Sequence, residues 1–194
     1  MKKLLALILA GLMIFTFAAC GKKTDGEGAN VNESKLEGVE APVDILNAIW
    51  ATYDAETEKF FAMGGDFETP VDNAPGAFNI SNKENVTAQL VCPEDALAMV
   101  DGAASLIHAM NANTFTGAAY SIKDDASADA FITSIKAAIK GNQWMCGFPE
   151  KVLTAKVTDD YVVVAFGNGE IIETFKGKLT AQYDFAVVEV DAIA

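Results

Sequence analysis

Residues 152–169, VLTAKVTDDYVVVAFGNG, decide the fold of this chain. Two β-branched apolar runs, residues 152–157 and residues 161–166, are separated by a Thr-Asp-Asp turn, and this pattern predicts a β-hairpin. The second run, YVVVAF, has no polar alternation, so we expect a central strand that is covered on both faces. The Gly-Asn-Gly that follows predicts a tight turn into a helix over residues 170–182, with Asn168 as its N-terminal cap.

The segments around this hairpin extend the pattern in both directions. Apolar spacing predicts a strand over residues 115–123, an amphipathic helix over residues 126–140 and a closing strand over residues 185–190. The order from residue 115 onward is therefore strand, helix, strand, strand, helix, strand, which is the order of the ferredoxin-like βαββαβ sandwich. We predict an α+β fold in which helices cover one face of an antiparallel sheet.

The residues before this unit predict an N-terminal helical elaboration on the same core. Apolar spacing predicts a helix over residues 43–62, and the glycines and prolines of residues 63–79 predict an irregular loop. We expect a short strand over residues 86–91 and a second helix over residues 94–111, since Pro93 suits a first helical turn.

The chain begins with the pattern of a bacterial export signal. Two lysines precede an apolar run over residues 4–19, and the closing Phe-Ala-Ala-Cys, which ends at Cys20, resembles the lipobox of bacterial lipoproteins. The resemblance implies cleavage before Cys20 and acylation of Cys20 with fatty-acyl chains such as palmitate. Two or more acyl chains hold a protein to a bilayer far better than one, so the lipid bilayer is an expected partner.

The domain organisation follows from this signal. Residues 1–19 are the predicted lipoprotein signal peptide, and residues 20–41 are the lipidated cysteine with a polar, glycine-containing tether that has no apolar period. Residues 42–194 have the length of a single globular domain.

The charge balance and the residue types exclude several kinds of partner. The chain contains 27 acidic and 14 basic residues, and its net charge is −13. Nucleic-acid binding depends on cationic side chains that neutralise phosphates, so we expect no nucleic-acid partner. Zinc sites need several nitrogen or sulfur ligands, and the one histidine and the two cysteines that remain after acylation of Cys20, which are expected to bond to each other, cannot supply them. No acidic calcium loop is present either, so we expect no metal and no other cofactor.

Two cysteines, Cys92 and Cys146, remain after acylation of Cys20. An even pair in an exported domain predicts a disulfide, which would stabilise the fold by about 4 kcal/mol. Two buried free thiols and one reactive thiol are alternatives that the residues leave open. Residues 144–149, WMCGFP, resemble the thioredoxin-type Trp-Cys-Gly-Pro-Cys, but Pro149 stands in place of the second cysteine that a dithiol cycle requires.

Other motifs have structural interpretations. Ser105 and His108 are spaced to be neighbours on the predicted helix, but no third catalytic group accompanies them, so we interpret His108 as a capping or surface residue. The Gly167-Asn168-Gly169 turn lacks the third glycine of a dinucleotide fingerprint, and Glu170 would repel a phosphate.

Four stretches of this chain are similar to one family of proteins. The stretches are residues 49–51 (IWA), residues 103–117 (AASLIHAMNANTFTG), residues 143–149 (QWMCGFP) and residues 160–163 (DYVV). Together they resemble small lipoproteins of Gram-positive gut anaerobes, some of which are labelled bacteriocin transport accessory protein. The resemblance implies a lipid-anchored protein on the extracytoplasmic face of the bacterial cell membrane, and it carries over no activity.

We predict a non-enzymatic module that binds a protein partner or another ligand at the cell surface. Its candidate surface combines residues 111–116, the loop over residues 64–79 and residues 141–149. The candidate binding residues are Asn111, Asn113, Phe115, Trp144 and Phe148. The alternatives are a thiol–disulfide accessory protein of export or bacteriocin transport that acts through Cys146, and a hydrolase with clustered carboxylates.

Overall fold

The structure is a computed structural model that describes residues 36–145 and 147–193. Its helices are α1 (Pro42–Ala51), α2 (Lys83–Leu90), α3 (Glu94–Leu97), α4 (Ala128–Gly141) and α5 (Gly169–Gln182), and a 3₁₀ turn spans Ala112–Thr114. Its strands are β1 (Ala62–Gly64), β2 (Val71–Asp72), β3 (Gly76–Phe78), β4 (Val100–His108), β5 (Phe115–Ile122), β6 (Lys151–Lys156), β7 (Tyr161–Gly167) and β8 (Val187–Ala192). The fold is α+β, as the sequence predicts.

The strands of the described residues form one antiparallel sheet. Its order is β2-β1-β4-β5-β7-β6-β8, and β1 and β3 pair with successive parts of the same edge of β4. The hairpin of β6 and β7 is confirmed, and it pairs from Lys151 with Gly167 to Lys156 with Val162. The interpretation of YVVVAF as a central strand is also confirmed, because β7 lies between β5 and β6 and is buried over residues 162–167.

Helices cover both faces of this sheet. On one face, α1 and α5 pack against β7 through Val163 and Ala165. On the other face, α2, α3 and α4 pack in a second apolar cluster that contains Val162, Val164 and Phe166. The side chains of β7 therefore alternate between two cores, as expected for a strand that is buried on both sides.

The prediction that helices cover one face is wrong, and the position of β8 explains why. In the ferredoxin-like arrangement the last strand lies beside the first, but here β4 occupies that edge of β5 and β8 joins the free edge of β6. The connections β5-α4-β6 and β7-α5-β8 therefore cross the sheet in the same direction, although β5 and β7 run antiparallel. Because such crossovers are right-handed, α4 and α5 must lie on opposite faces.

The predicted helix over residues 94–111 is wrong beyond its first turn. The chain forms the short α3 and then the long strand β4. Ala103 belongs to one apolar cluster, and Ala104 and Leu106 belong to the other. Most side chains of a strand that is buried on both faces are apolar, so a helical spacing of apolar residues occurs within it without indicating a helix.

The region before β4 also differs from the prediction in several details. Residues 86–91 are not a strand, because α2 covers most of them, and the first helix ends at Ala51 rather than at residue 62. Residues 63–79 are not an irregular loop throughout, since they contribute to β1, β2 and β3. Leu36 and Val39 pack against the α1 side of the core, so the predicted tether extends too far into the folded unit.

Candidate binding surface

One end of the sheet brings together the turns that the sequence analysis selected. The turn after β4, the connection from α4 to β6 and the turn from β7 into α5 all lie there, because Phe115 and Lys151 both pair with Gly167. We call this region the Asn111 surface. It comprises residues 63–70, 87–91, 107–114, 116, 142–145 and 147–150.

Side chains at the turn after β4, residues 109–114, fix its conformation. We call this turn the Asn111 turn. The Asn111 Oδ1 accepts a hydrogen bond from the Asn113 backbone N–H at 3.0 Å. The His108 Nδ1 accepts from the backbone N–H groups of Met110 at 3.3 Å and Asn111 at 3.4 Å. Because Nδ1 is an acceptor, the ring of neutral His108 carries its proton on Nε2. His108 therefore caps the turn at the end of β4.

Ser105 and His108 do not form a pair on one helix surface. Both lie in β4, where positions three residues apart point to opposite faces. The Ser105 hydroxyl is buried and donates to the Gly65 carbonyl at 2.8 Å. The ring of His108 stacks instead on Phe60, with 5.4 Å between the ring centroids.

The segment between α4 and β6 is joined to the Asn111 turn. The Asn113 Nδ2 donates to the Gly147 carbonyl at 3.1 Å. The half-buried ring of Trp144 packs on Phe166, with 5.2 Å between the ring centroids, whereas Phe148 is 75% exposed. Trp144 therefore anchors the segment in the core, and Phe148 projects to solvent.

Phe115 does not belong to the binding surface, and this candidate residue was wrong. Its side chain is fully buried and contacts the rings of Phe60 and Phe175 at centroid distances of 5.2 Å. Phe115 is the first residue of β5, and its side chain points into the core on the α1 and α5 face. A large apolar residue at the end of a strand can either pack in the core or face the solvent. The sequence pattern does not distinguish these two positions.

Asp66 organises the loop of residues 65–70, which borders the Asn111 turn and which we call the Asp66 loop. Its buried carboxylate accepts hydrogen bonds from the backbone N–H groups of Glu68, Thr69 and Asn79 at 2.8 to 3.0 Å, and from the Thr69 hydroxyl at 3.1 Å. Burial raises the pKa of Asp66, but the hydrogen bonds from Thr69, Asn79 and Glu68 outweigh burial and hold the pKa below its usual value. The carboxylate is therefore an ionised structural group.

Glycines allow the same loop to lie directly on β3. A Cβ atom at Gly64 would collide with the backbone of Gly76, and Gly65 has a φ of +75°. A residue with a Cβ atom would therefore be unfavourable at either position. Gly64 and Gly65 are therefore explained by backbone contact.

Three cavities adjoin one another on the Asn111 surface. The first has a volume of about 370 Å³ and lies between the Asp66 loop, α2 and the Asn111 turn. The second, of about 340 Å³, lies between α2, the turn and residues 142–145, and it shares Ala88, Gln89 and Ala112 with the first. The third, of about 200 Å³, is lined by Asn111, Gly147 and Phe148. The structure thus brings together the three segments that the sequence analysis proposed, and their use in binding stays a prediction.

Large apolar side chains are exposed around these cavities. In the described part of the chain, five of them border the Asn111 surface, with exposed fractions between 37% and 88%. They are Met63, Phe67, Met110, Met145 and Phe148. A concentration of exposed apolar side chains beside polar cavities is typical of an interaction site.

Two hydrogen-bond donors at these cavities have no acceptor among the described residues. They are the Gln89 Nε2, at a residue shared by the first two cavities, and the Trp144 Nε1, at the second. A buried donor without a partner costs about 1 to 3 kcal/mol, so folded proteins rarely contain several together.

The N-terminus of α5 is already occupied by side chains of this protein. The Asn168 Oδ1 accepts from the backbone N–H groups of Glu170 at 3.0 Å and Ile171 at 3.3 Å, which confirms the predicted cap. The Glu150 carboxylate accepts from the Gly169 backbone N–H at 3.0 Å. An anion at this turn would have to displace Glu150.

Cys92 is a buried free thiol in the structure. Burial, and secondarily the charge of Asp95, raises the pKa of the Cys92 thiol to about 12, so it is not a nucleophile near neutral pH. The predicted partner, Cys146, lies outside the described residues. The disulfide and the alternative role of Cys146 in thiol exchange therefore both stay predictions, as does the lipidation of Cys20, which also lies outside them.

Two features are absent from residues 36–145 and 147–193. No helix there is both long and apolar enough to span a membrane. No three or more histidine, cysteine or acidic side chains there come together as a group that could hold a metal ion.

Comparison of the chain with models of known protein families, with curated proteins and with solved structures finds no match.

The sequence analysis missed several residues of this surface. Gln89 was not selected because α2 was interpreted as a strand, although Asn82 is a good helix cap and Val86 and Leu90 are one turn apart. The exposed side chains of Phe67, Met110 and Met145 carry no sequence signal by themselves. Apolar residues in turns are as often buried as exposed, and only the fold decides between these outcomes.

Proposed function

We propose that this protein is a lipid-anchored extracytoplasmic module that binds a ligand at the Asn111 surface without transforming it. The observation that carries the proposal is the position of the five exposed methionine and phenylalanine side chains around three adjoining cavities. Burying such side chains against a ligand is favourable at roughly 25 cal/mol per Å² of apolar surface.

The chemistry of the described side chains supports binding rather than catalysis. The Ser105 hydroxyl is bonded to the Gly65 carbonyl, and the Asp66 carboxylate accepts four hydrogen bonds. The thiol of Cys92 is buried and protonated. A catalytic group needs a free lone pair or proton at the substrate, and these side chains have committed theirs to the fold.

The membrane anchor is tested through Cys20. Wild-type protein in bacterial cells should incorporate labelled palmitate and remain with the membrane fraction, whereas Cys20→Ser should lose both properties. Acylation of the Cys20→Ser protein would contradict the proposed anchor.

Binding is tested by site-specific photo-crosslinking of the full-length protein in intact cells. A photoreactive benzoyl-phenylalanine replaces Phe148 in one variant and Phe185 in the other, because Phe185 is also exposed but belongs to the opposite end of the sheet. Position 148 should give an adduct of discrete mass, and position 185 should give none. Equal adducts at both positions, or none at either, would contradict a specific site at the Asn111 surface.

A further inference from the structure

The first two cavities of the Asn111 surface form one groove across the end of α2, and its lining is almost free of charge. Among the lining residues that the structure describes, Asp66 and His108 are the titratable ones. The Asp66 carboxylate is already bonded to Glu68, Thr69 and Asn79. The rest of the protein is strongly acidic, with a net charge of −13 for the chain. The acidic protein would repel an anionic ligand, and a cationic ligand would find only the Asp66 carboxylate, whose oxygens already accept four hydrogen bonds, so the lining favours an uncharged ligand.

The groove has two donors that require acceptors. The Gln89 Nε2 and the Trp144 Nε1 lie at its wall without acceptors in the described part of the chain. Both residues line the second cavity, and Gln89 also lines the first. A ligand with regularly spaced carbonyl oxygens satisfies both donors, and an extended polypeptide presents one carbonyl at every residue.

The rim of the groove is apolar and adaptable. Met63 and Met110 border the first cavity together with Phe67, and Met145 borders the second. Methionine side chains are unbranched and flexible, and proteins use them to accept apolar side chains of different shapes. The rim therefore matches a segment with apolar side chains and no single fixed sequence.

These features separate a polypeptide from the other uncharged ligands. A fatty-acyl chain would cover the methionines but would leave both donors unpaired. A neutral glycan would supply acceptors but would place hydroxyl groups against the methionine rim. A polypeptide with uncharged, apolar side chains satisfies the donors and the rim together.

We infer that this groove binds an extended polypeptide segment with uncharged, apolar side chains, whose backbone carbonyls accept hydrogen bonds from Gln89 and Trp144. The inference rests on the proposed function and specifies the ligand class for the same surface.

The experiment measures fluorescence anisotropy of short labelled peptides with the full-length protein in detergent micelles. The probes are a peptide of alanine, valine, leucine and serine, and two matched peptides with lysine or glutamate in place of serine. The uncharged peptide should bind more tightly than both charged peptides. Unlabelled maltohexaose and palmitate serve as competitors, and neither should displace it. Stronger binding of a charged peptide, displacement by either competitor, or no binding of the uncharged peptide would overturn the inference.

Variants test the predicted contacts. Trp144→Phe and Gln89→Met remove one donor each and keep the shape, so each should weaken binding of the uncharged peptide roughly fivefold. Gln182→Met, at the exposed end of α5, is the matched control and should have no effect. Met110→Glu should abolish binding of the uncharged peptide and improve binding of the lysine peptide, whereas the control Phe185→Glu should do neither. Unchanged binding by both Trp144→Phe and Gln89→Met would overturn the role of the donors.

The outcome also separates the ligand class from the proposed function. A discrete adduct at position 148 in cells, combined with no binding of the uncharged peptide, would reject the ligand class and leave the binding surface intact. Failure of both experiments would reject the binding surface itself.

Discussion

Two grooves of this protein differ in how their polar groups are satisfied. The groove between α4 and strands β6 and β8, of about 510 Å³, is larger than each of the cavities on the Asn111 surface. Two of its three lysines are paired internally: Lys136 lies 2.6 Å from Glu189 and 3.2 Å from Asp191, and Lys156 lies 3.0 Å from Asp129. The groove at the Asn111 surface has one charged side chain, Asp66, whose carboxylate already accepts four hydrogen bonds, and its donors at Gln89 and Trp144 have no acceptor among the described residues.

The difference in how the polar groups are paired indicates which groove is the better candidate for a binding site. A ligand in the α4–β8 groove would have to compete with the ion pairs that already neutralise Lys136 and Lys156. A ligand at the Asn111 surface would satisfy donors that have no partner in the described part of the chain. We therefore assign the proposed function to the groove at the Asn111 surface, and the following predictions test whether the two regions differ as described.

The largest expected loss of stability comes from a substitution that disturbs the close contact between β3 and the chain next to the Asp66 loop. Gly64→Ala would force a Cβ into the backbone of Gly76, so the free energy of unfolding should fall by about 3 kcal/mol. Gly177→Ala in α5 is the matched control, because no atom lies within 4 Å of a Cβ there, and it should stabilise the protein by about 0.5 to 1 kcal/mol. Urea unfolding measures both. A Gly64→Ala protein as stable as wild type would contradict the close contact between the loop and β3.

The next largest loss of stability is expected when the Asp66 carboxylate, which holds the same loop, is replaced. Asp66→Asn removes a charged acceptor of four hydrogen bonds and should cost about 2 kcal/mol, whereas Asp72→Asn, at an exposed position of β2, should cost less than about 0.5 kcal/mol. Urea unfolding at neutral pH measures both changes.

The pH dependence of the same variant follows from the lowered pKa. Asp66 contributes stability that is present above the unfolded-state pKa of about 3.9 and is lost as the pH falls through the lower folded-state value. Urea unfolding between neutral and acidic pH should show this loss in wild type and a smaller loss in Asp66→Asn. Identical acid profiles for the two proteins would refute the role of the carboxylate.

A smaller effect is expected in the α4–β8 groove. Hydrogen bonds and charge from Glu189 and Asp191 raise the pKa of Lys136 against the effect of burial, so its contribution is present at neutral pH and is lost as the pH rises through that pKa. Lys136→Met should cost up to about 1 kcal/mol, and the cost should shrink in high salt.

The control for this variant is Lys83→Met. The side chain of Lys83 is 68% exposed, against 20% for Lys136, and it lies 3.7 Å from Glu94. Its replacement should leave the free energy of unfolding almost unchanged. Equal costs for Lys83→Met and Lys136→Met, measured by urea unfolding at low and high salt, would show that the pairs in the groove are no stronger than an exposed pair.

The smallest expected change concerns Cys92. Because its thiol is buried and has a pKa of about 12, folded protein should not be alkylated at Cys92 by iodoacetamide at pH 8.

Mass spectrometry after alkylation in denaturant, with and without reductant, then tests the predicted disulfide with Cys146. Equal numbers of labelled thiols with and without reductant would reject that disulfide.

The part of the fold that the sequence predicts well consists of segments with unambiguous local patterns. The run YVVVAF, the amphipathic residues of α4 and the Asn168 cap each had one physical interpretation, and each was confirmed. In β4, by contrast, burial on both faces removes the alternation that marks a strand.

The arrangement of the helices could not be predicted from local patterns at all. Whether β8 lies beside β5 or beside β6 depends on which edge β4 occupies, and this choice decides on which face α5 packs. Such a choice is made by contacts between distant parts of the chain.

The candidate surface was predicted in part. Asn111, Asn113, Trp144 and Phe148 lie at one end of the sheet, because turns that join neighbouring strands meet there. Phe115 was wrong because the first side chain of β5 points inward. Gln89 comes from α2, whose position next to the turn depends on the tertiary fold.

The central claim is that a ligand binds the groove of the Asn111 surface across the end of α2 and not the lysine-lined groove between α4 and β8. Hydrogen exchange of the full-length protein, followed by mass spectrometry with and without the uncharged peptide, tests it most directly. We expect slower exchange in residues 87–91, 109–113 and 142–145 and unchanged exchange in α4 and β8. Slower exchange in α4 and β8, or no change anywhere at saturating peptide, would contradict the claim.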